Sequence, residues 1–163
     1  MAAWEFQQLQ NIAEKHGWHK FISMQNLVHL LYREEEREMI PYCTATGVGL
    51  IPWSPLARGT IARPWKSHTT RRGETDEYGL PEGPNEEADK TIVSRVEELA
   101  KKKEVPMSAV GTAWVLQKGA CPIVGLSTRE RIDQSLLALS TRLSADEIKY
   151  LEEPYLPRAV TGY

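Results

Sequence analysis

Three short groups of residues carry side chains suited to holding a flat, polar-edged ring and a phosphate: Gln25 with Asn26, Trp53 with Ser54, and Gly125 with Ser127. Each follows a short apolar run. A side-chain amide both donates and accepts, an indole offers an apolar face, and small residues let backbone approach an anion. The competing reading is that amides and tryptophans also end ordinary strands, and spacing alone does not separate the two. The segment RERID, Arg129 to Asp133, opens a helix directly after the third run. Its first-turn N–H groups could bind a phosphate while Arg131 closes over it, although pattern alone favours an exposed helix of mixed charge.

Other motifs are weaker. The glycines of GVG, Gly47 to Gly49, precede their apolar run and lack the third glycine of a dinucleotide fingerprint. HGWH, His16 to His19, has no carboxylate or thiol beside it and reads as a helix-end turn. REEER, Arg33 to Arg37, reads as a solvated helix face. There is no GxSxG, HExxH or Walker sequence.

The elements that must position these groups alternate. A helical stripe at Phe6, Leu9, Ile12 and Ala13 ends at Gly17, and KFISMQN, 20–26, reads as a strand. A helix over 32–47 should break or kink at Pro41. GVGLIPW, 47–53, reads as a buried parallel strand, and 54–87 as a long loop rich in Gly, Pro and charge. Two helices follow, over 88–103 and after Pro106. CPIVGLS, 121–127, is the third strand, and the next helix carries Ile132, Leu136 and Leu139 at helical spacing. A capping box, Ser144 and Glu147, starts the last helix. Strands separated by helices predict a parallel α/β sheet with right-handed crossovers, whose ligand lies at the strands' carboxyl ends.

Bulk properties narrow the function classes. The 163 residues are 41% hydrophobic and 26% charged, enough for one globular core. Twenty basic against twenty-two acidic residues offer no broad cationic face for nucleic acid or anionic lipid. Cys43 and Cys121 form no metal or disulfide pattern, and no stretch approaches a membrane span, so a soluble, cytoplasmic protein is expected.

The ordered set SMQN, LLYREEEREMIPYC, GVGLIPWSPLARG, RPW, AWVLQKG, PIVGLSTRERID and LSADEIKYLEEPY resembles the aldo-keto reductases. The branch resembled lies near the fungal and bacterial aryl-alcohol dehydrogenases and the potassium-channel β subunits. The resemblance implies a partial (β/α)8 TIM barrel of about three parallel strands with their helices, residues 1–163 forming the carboxyl-terminal half of one NADP-dependent oxidoreductase domain. It implies that Gln25 bonds the nicotinamide carboxamide and that Trp53 lies against the ring. Ser54, Pro55, Leu56, Ala57 and Arg58 would wrap the pyrophosphate, and Arg72, with Arg71 as a register-dependent rival, would close over the cofactor. Gly125 and Ser127 would begin the 2′-phosphate site, Arg131 would pair with that phosphate, and Gln134 would face the adenine. Ser135 stands where most relatives have Asn, which weakens the adenine match.

The family's Asp, Tyr, Lys and His tetrad has no counterpart, since His16, His19, His29 and His68 match none of its motifs. The expectation is therefore a fragment, a truncated form or an incomplete gene model of a reductase of aldehydes and ketones, inactive by itself. The alternative is a non-catalytic remnant that binds cofactor or a partner. A three-stranded sheet also leaves open edges through which the chain could self-associate.

Overall fold

In the computed structural model the described residues are 1–65, 67 and 85–161. Helix α1, Ala3–Lys15, buries Phe6, Gln10 and Ala13, and ends before Gly17 at φ 66°. The sequence does not explain a buried glutamine there. The Gln10 amide takes both backbone groups of Phe21, accepting from its N–H at 2.8 Å and donating to its carbonyl at 2.9 Å. That contact fixes the approach to strand β1, Ser23–Met24.

Strand β2, Gly49–Leu50, lies parallel to β1 with Ser23 opposite Gly49 and Met24 opposite Leu50. Bridges from Leu27 to Trp53 and from Trp53 to Ile123 extend the pairing and draw in the run 121–127. The N–H groups of Gly49, Ile51 and Trp53 donate to the carbonyls of Ile22, Met24 and Asn26, and those of Cys121 and Ile123 to Leu50 and Pro52. The predicted third strand thus contributes one bridge instead of a regular strand. Pro52 has no N–H to return across that ladder, so the pairing cannot continue step by step.

A 3-10 turn, Glu34–Glu36, precedes α2, Met39–Thr46, so the predicted helix is in two pieces. The break lies before Pro41, which sits in the first turn of α2, where its missing N–H leaves no bond unmade. A second 3-10 turn, Ala57–Gly59, follows β2. Then come α3, Glu86–Lys103, α4, Met107–Gln117, α5, Arg129–Ser140, and α6, Ala145–Glu152. The capping box holds: Ser144 Oγ accepts from Glu147 N–H, and the Glu147 carboxylate accepts from Ser144 N–H. Among the described residues no helix is long and apolar enough to cross a membrane.

One core joins Met24, Val28 and Leu50 to Ile92, Val96 and Leu99 of α3 and to Val110, Trp114 and Val115 of α4. Helix α4 is buried from Ala109 to Val115, which explains why it is apolar all round. Full burial of each such large side chain contributes about 1.5–3 kcal/mol. The sheet's other face stays open: Ser23, Gln25, Gly49, Cys121, Ile123 and Gly125 are exposed.

One sequence expectation is corrected here, and the direction of one helix face is settled. The stripe Ile132, Leu136 and Leu139 of α5 faces outward, because α5 packs on Ala109 and Ala113 of α4 through the small side chain of Ala138. The REEER segment is not a solvated face, since Glu34 and Glu35 are 7% and 4% exposed.

Candidate functional site

The strand ends stand side by side because Trp53 bridges both neighbours, with its N–H on the carbonyl of Asn26 at 2.9 Å. Gln25 is exposed on the open face and Trp53 is half-buried. Alternation along β1 turns the next residue, Asn26, the other way. Its amide is buried, donates to Glu35 Oε2 at 3.4 Å, and leaves Oδ1 with no hydrogen-bond partner. Of the two adjacent amides, Gln25 is therefore the one presented on the open face.

The turn after Trp53 is held in an unusual backbone. Ser54, Ala57 and Arg58 have φ of 51°, 47° and 55°, and Gly59 has 102°. Left-handed backbone costs roughly 1–3 kcal/mol at each non-glycine residue and persists where surroundings enforce it. Here the N–H groups of Ala57, Gly59 and Thr60 close onto the carbonyls of Ser54, Leu56 and Ala57. Pro55 and Ala57 are buried, Ser54 and Leu56 are half-buried, and Arg58 is exposed. The turn leans on Gly111 of α4: a Cβ there would meet Ile61 Cγ2 at 2.9 Å and Leu56 Cδ2 at 3.0 Å. None of the strained residues is glycine, so neither the strain nor the role of Gly111 was readable from residue type.

Gly125 faces open space and Ser127 is exposed. At the start of α5, Ser127 Oγ accepts from Arg131 Nη1 at 2.9 Å, and Thr128 Oγ1 accepts from the Arg131 N–H at 3.3 Å. The structure thus brings Ser127 and Arg131 together and adds Thr128, a helix cap that its place before RERID would have revealed. The Gln134 amide donates to Glu130 at 3.1 Å. Arg71 and Arg72 lie outside the described residues. At the helix end HGWH forms the expected turn, with Gly17 left-handed, and His16 stacks on Trp18 with ring centres 5.0 Å apart.

Beside the strand ends runs a buried ionic network that residue types did not signal. Burial alone would raise the Glu34 carboxyl. Hydrogen bonds from Tyr155 OH at 2.6 Å, the Arg158 N–H at 2.8 Å and Arg37 Nε at 2.7 Å hold it below the usual carboxylate range. Burial and the bond to Glu34 raise the Tyr155 hydroxyl. Arg158 also pairs with Asp89, whose carboxyl burial keeps raised even so. Glu152 collects Arg33, Lys118 and the Trp114 indole N–H at 2.8, 2.7 and 2.8 Å. Burial, and next the charge of Arg158, push His29 down to about 3, so it is neutral at physiological pH and its Nδ1 accepts from Leu31 N–H. These groups fasten residues 152–161 to the segment after β1.

Comparison with known proteins agrees with this architecture. A versiconal hemiacetal acetate reductase of Aspergillus parasiticus is 56% identical over 163 residues, covering 98% of this chain and 48% of that protein. A Schizosaccharomyces pombe protein provisionally named an aryl-alcohol dehydrogenase is 58% identical over 165 residues, covering 99% of this chain and 46% of its own length. An aldo-keto reductase of Fusarium vanettenii is 49% identical, covering 100% and 44%. The chain thus spans about half the length of the relatives it matches. The crystal structure of Gox0644 in apo form superposes with a TM-score of 0.66 at 16% identity, over 97% of this chain and 46% of that one, a likeness of fold. The model of the Aldo/keto reductase family matches residues 1–155, and with relatives this similar the chain belongs to the aldo/keto reductase family.

Proposed function

We propose that this chain is the cofactor-holding half of an NADP(H)-dependent reductase of aldehydes or ketones, built as part of a (β/α)8 barrel. One observation carries the reading: the ends of two parallel strands and a third run bridged to them lie side by side, with Trp53 at their centre and a strained, buried-anchored turn directly after it. The donor set fits a dinucleotide. Gln25 provides an amide for a carboxamide edge and Trp53 a half-open indole for a ring. The turn Ser54–Arg58 provides backbone and a guanidinium for a pyrophosphate, and Ser127 with Arg131 a paired site for a phosphomonoester. Gly125 leaves room for the chain to approach that phosphate, and Gln134 would face the adenine. The phosphomonoester site is the reason to prefer NADP(H) to NAD(H). When bound, the nicotinamide supplies the hydride; the residues of this chain orient it and compensate its charge.

Proton transfer to a carbonyl oxygen needs an acid with a tuned pKa within reach. His29 is buried, neutral and committed to Leu31, and the Tyr155 hydroxyl is raised and committed to Glu34. Cofactor binding without turnover by this chain alone is the reading that follows, and the non-catalytic, cofactor-binding alternative shares it. The substrate class is a small carbonyl compound and the setting cytoplasmic, with a tailoring role in secondary metabolism consistent with the branch resembled. NADPH fluorescence titration tests the first half of the proposal: saturable binding, tighter than NADH, is expected, and equal or absent binding of both overturns it. Turnover of an aromatic aldehyde by this chain alone would overturn the second.

A further inference from the structure

Beyond α6 the described chain forms no helix or strand, and residues 156, 157 and 159–161 are exposed, yet this tail is held at two places. One is the segment after β1. There Tyr155 Oη donates to Glu34 at 2.6 Å and accepts from the Arg33 N–H at 2.9 Å. The Arg158 N–H donates to Glu34 at 2.8 Å, and Tyr32 Oη accepts from the Thr161 N–H at 3.0 Å. The other place is the start of α3, where Asn85 Nδ2 donates to the Pro157 carbonyl at 3.2 Å and Arg158 Nη2 pairs with Asp89. Glu34 and Asp89 are both buried, so each carboxylate depends on these partners in place of water.

The segment held in this way is the one on which the end of β1 rests. Asn26 is tied to it by a single long bond, 3.4 Å to Glu35 Oε2, and its Oδ1 has no partner. A tie that loose does not by itself fix the Glu34–Glu36 turn. The neighbouring Glu34 is gripped much more tightly, and two of its short bonds come from the tail. We infer that the tail is a positioning strap: Tyr155 and Arg158 clamp the Glu34–Glu36 turn against the start of α3, which keeps Asn26 turned inward and Gln25 set on the open face where a nicotinamide carboxamide is bonded. Both residues act through Glu34 and Asn26 and not on the ligand. The clamp stands on its own geometry, and its effect on the carboxamide rests on the proposed function. Arg158 gives Asp89 one nitrogen while its Nε has no hydrogen-bond partner, so the contact works as a point charge that lysine can replace.

The test titrates the full chain with NADPH and, separately, with adenosine 2′,5′-bisphosphate, which has the 2′-phosphate but no nicotinamide. Tyr155→Phe and Arg158→Gln should each weaken NADPH about fivefold or more and the bisphosphate less than about twofold. Arg158→Lys should recover most of that affinity, and neither variant should weaken NADPH further in a Gln25→Ala background. Equal weakening of both ligands overturns the inference, because general loosening of the fold produces it. Unchanged NADPH affinity, or an undiminished loss in the Gln25→Ala background, overturns it as well. If Arg158→Gln does not fold, Tyr155→Phe, which keeps the ring and every charge, carries the same comparison. Failure of the cofactor reading shows separately, as absent NADPH binding by the unaltered chain or no effect of Gln25→Ala. The clamp is then judged by amide exchange of the free chain. Exchange at residues 24–27 should quicken at least about tenfold in Tyr155→Phe relative to α5, and no change there overturns the strap.

Discussion

At the scale of single residues, two groups have consequences that can be measured. Arg131 donates to Ser127 Oγ, and on the proposed function that contact would hold its guanidinium ready for a phosphomonoester before binding. Charge-assisted hydrogen bonds of this kind contribute about 1.5–3 kcal/mol, so Arg131→Ala should weaken NADPH about 10- to 100-fold and NADH much less, by fluorescence titration. Arg131→Lys should recover only part of the loss, because a point charge does not reproduce the planar fork. His29, against Arg158 and Tyr32, gives a pH dependence of defined sign. Its folded pKa lies near 3 and its unfolded value near 6.5, so the unfolded chain binds more protons in that window. Stability therefore falls as pH drops from about 6.5, by up to about 1.4 kcal/mol per pH unit. Glu34, held low, adds to acid lability below the usual carboxylate range, whereas Asp89, held high, contributes stability that is lost as pH rises through its folded pKa. Urea unfolding at pH 7 and pH 5 should show the drop, and His29→Gln should flatten it.

At the scale of elements, the strained turn depends on a helix that never touches the open face. Gly111 allows α4 to lie against Leu56 and Ile61, and those two residues bracket the left-handed Ala57 and Arg58. In an exposed helix Gly→Ala would gain about 1 kcal/mol, but here the added carbon meets a β-branched side chain at 2.9 Å. Overpacking of that kind costs about 1–3 kcal/mol, so Gly111→Ala should lower the denaturation midpoint and weaken nucleotide binding together. Destabilisation with unchanged NADPH affinity would show that the turn is not what holds the pyrophosphate. The capping box is a simpler element: Ser144→Ala should cost about 1 kcal/mol and leave binding alone, which makes it the control.

At the scale of the whole molecule, large apolar side chains such as Ile22 and Leu136 lie exposed, and replacing them tests whether the chain associates through them. Replacing Ile22 and Leu136 with lysine, at 85% and 56% exposure, should raise solubility without lowering the melting temperature, as turbidity and calorimetry can check. The helices over 3–15, 86–103 and 145–152 were legible in advance because apolar period, capping residues and breakers are local signals. The pairing of residues around Trp53 was half-legible: alternation with helices implies a parallel sheet, but the loss of regular pairing at Pro52 depends on which neighbour needs its N–H. The outward stripe of α5 was not legible, since a helical apolar period is the same whether the covering face is present or absent. Nor was the Glu34 network, because a run of charges looks identical whether water or Tyr155 and Arg158 surround it. By itself, then, the sequence determined the order of the helices and the family, both of which are carried by local pattern and chemistry. Only the tertiary structure decided that Gln25 and not Asn26 is presented on the open face, that Ser54 to Arg58 is strained against α4, and that the tail is tied into the core. Those outcomes depend on contacts between residues distant along the chain, and such contacts leave no local mark.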